Sequence, residues 1–259
     1  MVKQLRKMAE EFEKFFGSHA EEYRKSKSHR EGPDLSVLLE KIDPMKNERC
    51  LDLATGTGFT AVSFAKRCAD VVAYDGTQAM LDQAKIVAKE EGVSNVKFVK
   101  GNVEKLPFEN ESFNIVVTRR AAHHFGHKDL FLQEAFRVCT NGGKLGIADF
   151  ADPENDDSDY FNDLERLRDN SHVKAEKISV WKSLVEKAGF VNVSVTEMRD
   201  TSPYSKWLSP VSEDSDAGRM CRKFIESHSR EELLKMDFDL NTMELTKHRF
   251  VLTATKPKS

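Results

Sequence analysis

"LDLATGTGFT", residues 51–60, places two glycines one residue apart directly behind a short apolar run. Gly56-x-Gly58-x-x-Ala61 satisfies the loose fingerprint of a strand-to-helix turn whose backbone approaches a nucleotide. "CLDLAT" reads as the strand entering that turn, and Ala61, Val62 and Ala65 begin the helix leaving it. The same alternation continues outward. "DVVAYD" is a second strand ending at Asp75, and residues 78–91 form an amphipathic helix with Met80, Leu81, Ala84, Val87 and Ala88 inward. "NVKFVKG" and "FNIVVT" are the third and fourth strands. "LFLQEAFRVCT" is a helix closed by a turn at Asn141-Gly142-Gly143, and "KLGIADF" is the fifth strand. Strands alternating with helices predict an α/β fold with a doubly wound, mostly parallel sheet and helices on both faces.

The flanks are less regular. Residues 2–25 read as a helix with Met8, Phe12, Phe15 and Phe16 at helical spacing; "SKSHREGPD" breaks it, and Asp34 is placed to cap a short helix running to Ile42. Beyond residue 153 the sequence predicts helices near 156–170 and 178–188, a strand "FVNVSVTEM", a helical insertion over about 203–236, and a last strand "HRFVLTATK". The expected sheet is therefore seven-stranded. The domain reading is an N-terminal helical lid, 1–32, and one domain, 33–259, carrying the insertion as a cap. An open sheet leaves its ligand crevice exposed at the carboxyl ends of the strands, so both extra segments are expected to pack over it. Tyr23 would then lie near the cofactor. Tyr204, Trp207, Leu208, Met220 and Phe224 would line the acceptor pocket.

Composition bounds the function. The 259 residues suffice for one sizeable core. A formal charge of −3 argues against a dedicated nucleic-acid binder, and no apolar run approaches the roughly 20 residues of a membrane helix. The N-terminal stretch lacks the apolar centre of a secretion signal. Cys50, Cys68, Cys139 and Cys221 show neither metal-type nor disulfide-framework spacing, which points to buried thiols in a reducing cytoplasm and to no metal site.

Two acids mark a nucleotide site, and the first of them chooses among nucleotides. Asp52 lies inside the first strand, four residues before Gly56. A carboxylate there would face a dinucleotide's pyrophosphate across a poorly solvated gap, where like charges repel. It suits the ammonium and sulfonium of S-adenosylmethionine. Asp75, 17 residues after Gly58, can accept both ribose hydroxyls of either cofactor. After the fifth strand no second mononucleotide half begins, which also disfavours a dinucleotide.

"LDLATGTGFTA", "VVAYDGTQAML", "VKGNVEKLPFENESFNIVVTRRAAHHF" and "FLQEAFRVCTNGGKLGIADF" together resemble the class I S-adenosylmethionine-dependent methyltransferases. The nearest group is the one that includes the ubiquinone/menaquinone C-methyltransferases. The resemblance spans roughly residues 20–200 and implies a Rossmann-like methyltransferase fold, S-adenosylmethionine as cofactor, and S-adenosylhomocysteine as product. It also implies roles. Ala54, Thr55, Gly56 and Gly58 would line the turn against the methionine moiety and adenosine. Asp75, with Gly76 beside it, would hold the ribose, and Met80 would pack on the adenine face. Asn102 stands where the family usually has an acid; its side-chain oxygen would accept from the adenine amino group, while the Val103 N–H meets the ring. Thr118 and Arg119 would flank the methionine part.

Methyl transfer from a sulfonium needs mainly a dry, aligned site, with a base only where the nucleophile must lose a proton. His123 and His124, following the fourth strand, are the base candidates; a loop-holding role is the alternative. Arg119-Arg120 could bind an anionic acceptor, or one of the pair could be a surface or supporting group. "RKSKSHR", residues 24–30, lacks the interleaved aromatics of a nucleic-acid surface, and "DPENDDSD", residues 152–159, reads as a solvated helix start. The reading is an enzyme methylating a small molecule at carbon, oxygen or nitrogen. Nucleic-acid base methylation, NAD-dependent oxidoreduction and non-catalytic cofactor binding are the rivals. Oligomeric state is not readable.

Overall fold

The computed structural model describes residues 20–25, 27–209 and 211–258. The predicted helix face of Met8, Phe12, Phe15 and Phe16 lies outside the described residues. Residues 20–25 are helical, followed by α1 (Lys27–Glu31) and α2 (Pro33–Ile42). Asp34 does not cap α2. The cap position is Gly32, and Asp34 is the second residue of the helix, buried, with another task described below.

The central alternation follows the sequence closely. β1 (Arg49–Leu53) leads into α3 (Phe59–Ala65), β2 (Asp70–Asp75) into α4 (Gln78–Glu90), then β3 (Val96–Lys100), β4 (Phe113–Arg119), α5 (Lys128–Val138) and β5 (Cys139–Ala151). α4 buries Met80, Leu81, Ala84, Val87 and Ala88, the face predicted. The Asn141-Gly142-Gly143 turn is absorbed into β5, because Gly142 N donates to Lys256 O and Lys256 N to Gly143 O, extending the ladder past the bend. Next come α6 (Tyr160–Arg168), α7 (Ile178–Lys187), β6 (Val191–Pro203), the short helices α8 (Tyr204–Leu208), α9 (Asp216–Ser227) and α10 (Arg230–Lys235), then β7 (Phe238–Asp239) and β8 (Glu244–Thr255).

The strand order is β3-β2-β1-β4-β5-β8-β6, with β7 pairing on β8, so the sheet has eight strands rather than seven. The addition is the two-residue β7, too short to leave an alternating signature in the sequence. β1 to β5 are parallel, and β8 runs antiparallel between β5 and β6. Successive connections run outward from β1 in one direction and from β4 in the other. The carboxyl ends of β1 and β4 are therefore the switch point where an open sheet binds its ligand.

Alternation along the strands divides the core. Leu51, Leu53, Val116 and Phe250 pack on one face with Phe131, Leu132 and Trp181; Cys50, Ile115, Val117 and Val251 pack on the other with Leu38, Ile42 and Phe64. Asp52 alternates with Leu51 and Leu53 and so falls on the Cys50 side. β6 and β8 continue past β5 as a pair, Asp200 opposite Lys247 through Pro203 opposite Glu244. That ribbon carries the 203–236 insertion, which packs with α6 around a core of Phe161, Leu164, Trp207, Leu208, Ile225 and Leu233.

Candidate cofactor and acceptor site

β1 ends in a turn whose Ala54, Gly56 and Gly58 all have positive φ, at 53°, 54° and 84°. For Ala54 that conformation is costly, the kind of local strain found where a backbone must meet a ligand. Thr55 N donates to Tyr74 O at 3.0 Å and Gly58 N to Thr55 O at 2.9 Å, which fixes the turn against β2. Gly58 is also a packing requirement, because a Cβ there would stand 2.7 Å from Ala84 Cβ on α4. Its role is to bring α3 and α4 together.

Asp75 closes β2. Its Oδ2 accepts from Gly56 N and its Oδ1 from Thr77 N, both at 2.8 Å. Burial raises its pKa, and these backbone donors oppose the rise. A carboxylate has about four acceptor positions, so each oxygen keeps capacity for a hydroxyl. Asp52 is buried more deeply. Its Oδ2 accepts from the Thr55 hydroxyl at 2.5 Å, while its Oδ1 is buried with no partner among the described residues. Burial pushes its pKa up to about 7, against the pull of the Thr55 hydrogen bond. Thr118 Oγ1, at the end of β4, is likewise buried without a partner. Two orphaned polar atoms at the switch point fit a polar ligand group, and an ammonium is what Asp52 Oδ1 would accept from.

Asp75 and the turn edge a cavity. One wall is the turn, Ala54 to Thr57, with Phe59, Thr60, Asp75 and Met80; the other is Arg119, Arg120, Ala121, His124 and Phe125; Tyr23 and His29 come from the N-terminal segment. Met80 packs with Ala20, Tyr23 and Ala79. The Tyr23 ring meets His29 edge-on at 5.1 Å, and burial pushes the Tyr23 phenol up to about 12. The basic run 24–30 is turned toward acids, Arg24 to Glu90 at 3.1 Å and Arg30 to Glu91 at 3.6 Å.

Of the predicted residues, Tyr23, Ala54, Thr55, Gly56, Asp75, Met80, Arg119 and His124 line the cavity. Asp52 and Thr118 lie just beneath it, and Gly58 is in the helix contact. Gly76 is exposed beside Asp75 and does not line the cavity. Asn102 and Val103 do not line it either. Asn102 Oδ1 accepts from Glu104 N at 2.9 Å, and Tyr74 Oη donates to Asn102 O at 3.2 Å, so this pair shapes a turn. None of Tyr204, Trp207, Leu208, Met220 and Phe224 lines the cavity. Trp207 is buried in the insertion's core with Nε1 donating to Glu165 at 2.9 Å, and Met220 faces solvent. Tyr204, Trp207 and Leu208, with Phe224 packed against them, instead hold the insertion itself together. "DPENDDSD" is not a solvated helix start throughout. Asp152 and Asp156 are buried, and Asp156 accepts from Phe161 N and Ser158 N. Sequence reasoning missed His29, Phe59 and Phe125, whose contributions depend on how separate segments meet.

The two histidines differ. His123 does not line the cavity. Its Nδ1 faces Asp149 Oδ1 at 2.8 Å, and its backbone oxygen accepts from Val173 N and Lys174 N. It straps the loop to β5 and to residues 173–174, and its ring holds the buried Asp149 carboxyl below its ordinary pKa. His124 does reach the cavity. Its Nδ1 lies 2.9 Å from Ser171 O, an acceptor, so Nδ1 carries the proton. Burial, with His123 alongside, drops its pKa to about 3, so the ring is neutral at ordinary pH.

A glycine turn at the switch point, an acid closing the next strand, and a buried carboxylate beneath the turn define a nucleoside-binding site on a Rossmann-like sheet. The comparisons agree. Residues 44–202 match the model of the methyltransferase domain family. The chain is 34% identical over 194 residues to the uncharacterized methyltransferase YcgJ of Bacillus subtilis, covering 74% of this chain and 77% of that one. It is 30% identical over 183 residues to the ubiquinone/menaquinone biosynthesis C-methyltransferase UbiE of Proteus mirabilis, covering 62% and 73%. The crystal structure of BH2331 from Bacillus halodurans superposes with a TM-score of 0.82 at 33% identity, covering 88% of this chain and 100% of that one. The chain belongs to the methyltransferase domain family. It is an S-adenosylmethionine-dependent methyltransferase acting on a small-molecule acceptor. No helix among the described residues is long and apolar enough to cross a membrane.

Proposed function

We propose that the cavity holds S-adenosylmethionine with Asp75 on the ribose hydroxyls, Asp52 and Thr55 at the ammonium, and Met80 and Tyr23 against the adenine. Arg119 stands at the methionine end, and the acceptor enters against His124 and Phe125. The observation that carries this reading is the Asp52 carboxylate, buried beneath the turn with one oxygen lacking a partner among the described residues. When bound, the cofactor supplies a methyl carbon already activated for in-line displacement. The chain contributes alignment and exclusion of water. Residues 20–31 cover the adenine end through Ala20 and Tyr23 on Met80. His124, neutral and anchored at Ser171, orients the acceptor rather than acting as a strong base, since a ring with a pKa of about 3 has little affinity for a proton at neutral pH. His123 holds the loop from behind.

A relative named as a demethylmenaquinone methyltransferase supports a quinone-like acceptor, and a charge of −3 supports a function apart from nucleic acid. The four free, buried cysteines support a reducing cytoplasmic setting. Formation of S-adenosylhomocysteine, followed chromatographically with a panel of phenols, quinols and amines, tests the reading. Acceptor-dependent product is expected. Cofactor binding with no turnover on any acceptor class would favour a cofactor-binding role without catalysis.

A further inference from the structure

Arg119 and Arg120 are consecutive, yet both grip one carboxylate. Arg119 Nε and Nη2 donate to Asp34 at 2.8 and 3.0 Å, and Arg120 Nε and Nη2 donate to the same two oxygens at 2.7 Å each. Successive side chains on a strand point to opposite faces. They converge here because Arg120 has φ 54°, a left-handed conformation that costs energy in a residue with a Cβ. Its N–H is tied to Ala148 O at 2.7 Å, which locks the twist. Local strain of this kind persists where a site requires it.

The charge does not balance. Asp34 is 2% exposed and its partners' side chains 4% and 11%, so two guanidiniums share one carboxylate almost out of water. Arg119 uses its remaining edge on His29 O at 2.8 Å. Arg120 has no protein acceptor for Nη1 among the described residues, and it lines the cavity beside Ala121 and His124. The neighbouring His29 cannot offset or add charge, since burial and the two arginines drop its pKa to about 3. Asp52 and Asp75 are the other acids here, and both belong to the cofactor wall. Two guanidiniums on one buried carboxylate leave an excess positive charge, and the remaining guanidinium edge of Arg120 matches a carboxylate in two parallel hydrogen bonds. Gly32 shows how tightly the outer side is closed: a Cβ there would stand 2.3 Å from Arg120 Nη2. The open approach is from the cavity.

We propose that Arg120 is a specificity-determining residue that receives a carboxylate of the methyl acceptor, so that the acceptor is an anionic small molecule. The proposal rests on the cavity being the methyltransferase site. The test is calorimetric, with S-adenosylhomocysteine saturating and benzoate or benzamide as the probe. Benzoate should bind the full chain at least tenfold more tightly than benzamide. Arg120→Met should abolish that preference, Arg120→Lys should keep part of it, and S-adenosylhomocysteine affinity should change less than threefold in both. Equal binding of the two probes to the unmodified protein overturns the proposal without needing any variant. So does a preference that survives in folded Arg120→Met. A tenfold or greater loss of S-adenosylhomocysteine affinity in Arg120→Met, with 5′-methylthioadenosine unaffected, would assign the carboxylate to the cofactor's own tail and overturn the acceptor role. Failure of the unmodified protein to bind S-adenosylhomocysteine would instead remove the cofactor reading beneath it.

Discussion

On the cofactor wall of the cavity, Asp75 is held by the backbone N–H groups of Gly56 and Thr77, and the turn is held by Thr55 and Gly58. On the facing wall, Arg119 and Arg120 are held by Asp34, 85 and 86 residues away in sequence, and Arg119 also by His29 O, 90 away. The first wall consists of strand ends and one short turn. The second is assembled from side chains of distant segments; burial drops its His29 and His124 to about 3, as it raises Asp52 and Asp75 on the first. Backbone-held groups keep their positions while side chains elsewhere vary. On the reading proposed above, the first wall would take the invariant cofactor, and the facing wall, apart from Arg119 at the methionine end, the acceptor.

If that division holds, substitutions on the two walls separate in their effects. The largest is expected at Asp75. Asp75→Ala removes charge-assisted hydrogen bonds worth about 1.5–3 kcal/mol each, so S-adenosylhomocysteine affinity should fall roughly 10²–10⁴-fold by calorimetry. A loss below tenfold would break the comparison. Trp207→Ala, in the core of the 203–236 insertion and away from both walls, should cost about 3–5 kcal/mol in urea unfolding, with cofactor affinity within threefold. A strong affinity loss there would make the insertion part of the cofactor site. Gly58→Ala meets both a positive φ and Ala84, so roughly 1–3 kcal/mol of stability should be lost, seen as a lower Tm.

The smallest effect is the pH dependence of Asp52. Its folded pKa of about 7 is raised, and the ammonium needs it ionised. Affinity for S-adenosylhomocysteine should therefore weaken as pH falls below 7, up to about tenfold per unit, and Asp52→Asn should flatten that slope. In the free protein the sign is opposite. A carboxyl with a raised folded pKa makes the unliganded fold lose stability as pH rises from about 4 to 7, and Asp52→Asn should abolish that loss. A pH-independent affinity in the unmodified protein would place the ammonium elsewhere.

The same division explains what the sequence revealed. Asp52, Gly56, Gly58 and Asp75 sit at strand ends whose spacing sets their positions, so the turn and its acids were readable. α4's inward face was readable from its 3.6-residue period. Asp34 was not, because its partners arrive from the far end of β4, and its place near the start of α2 imitates a cap. Tyr204 and Trp207 carry the apolar signal of a pocket lining, but the same signal marks a small core, and periodicity cannot tell the two apart. The separate duties of His123 and His124 depend on Asp149 and Ser171, contacts that only the folded chain supplies.

The central claim is that the wall built from Asp52, the glycine turn and Asp75 takes S-adenosylmethionine. A calorimetric titration of S-adenosylhomocysteine into the protein at pH 8, with and without excess NAD, tests it most directly. Saturable one-to-one binding that NAD does not displace is the predicted result. Saturable NAD binding that survives excess S-adenosylhomocysteine, or no S-adenosylhomocysteine binding at all, would contradict it.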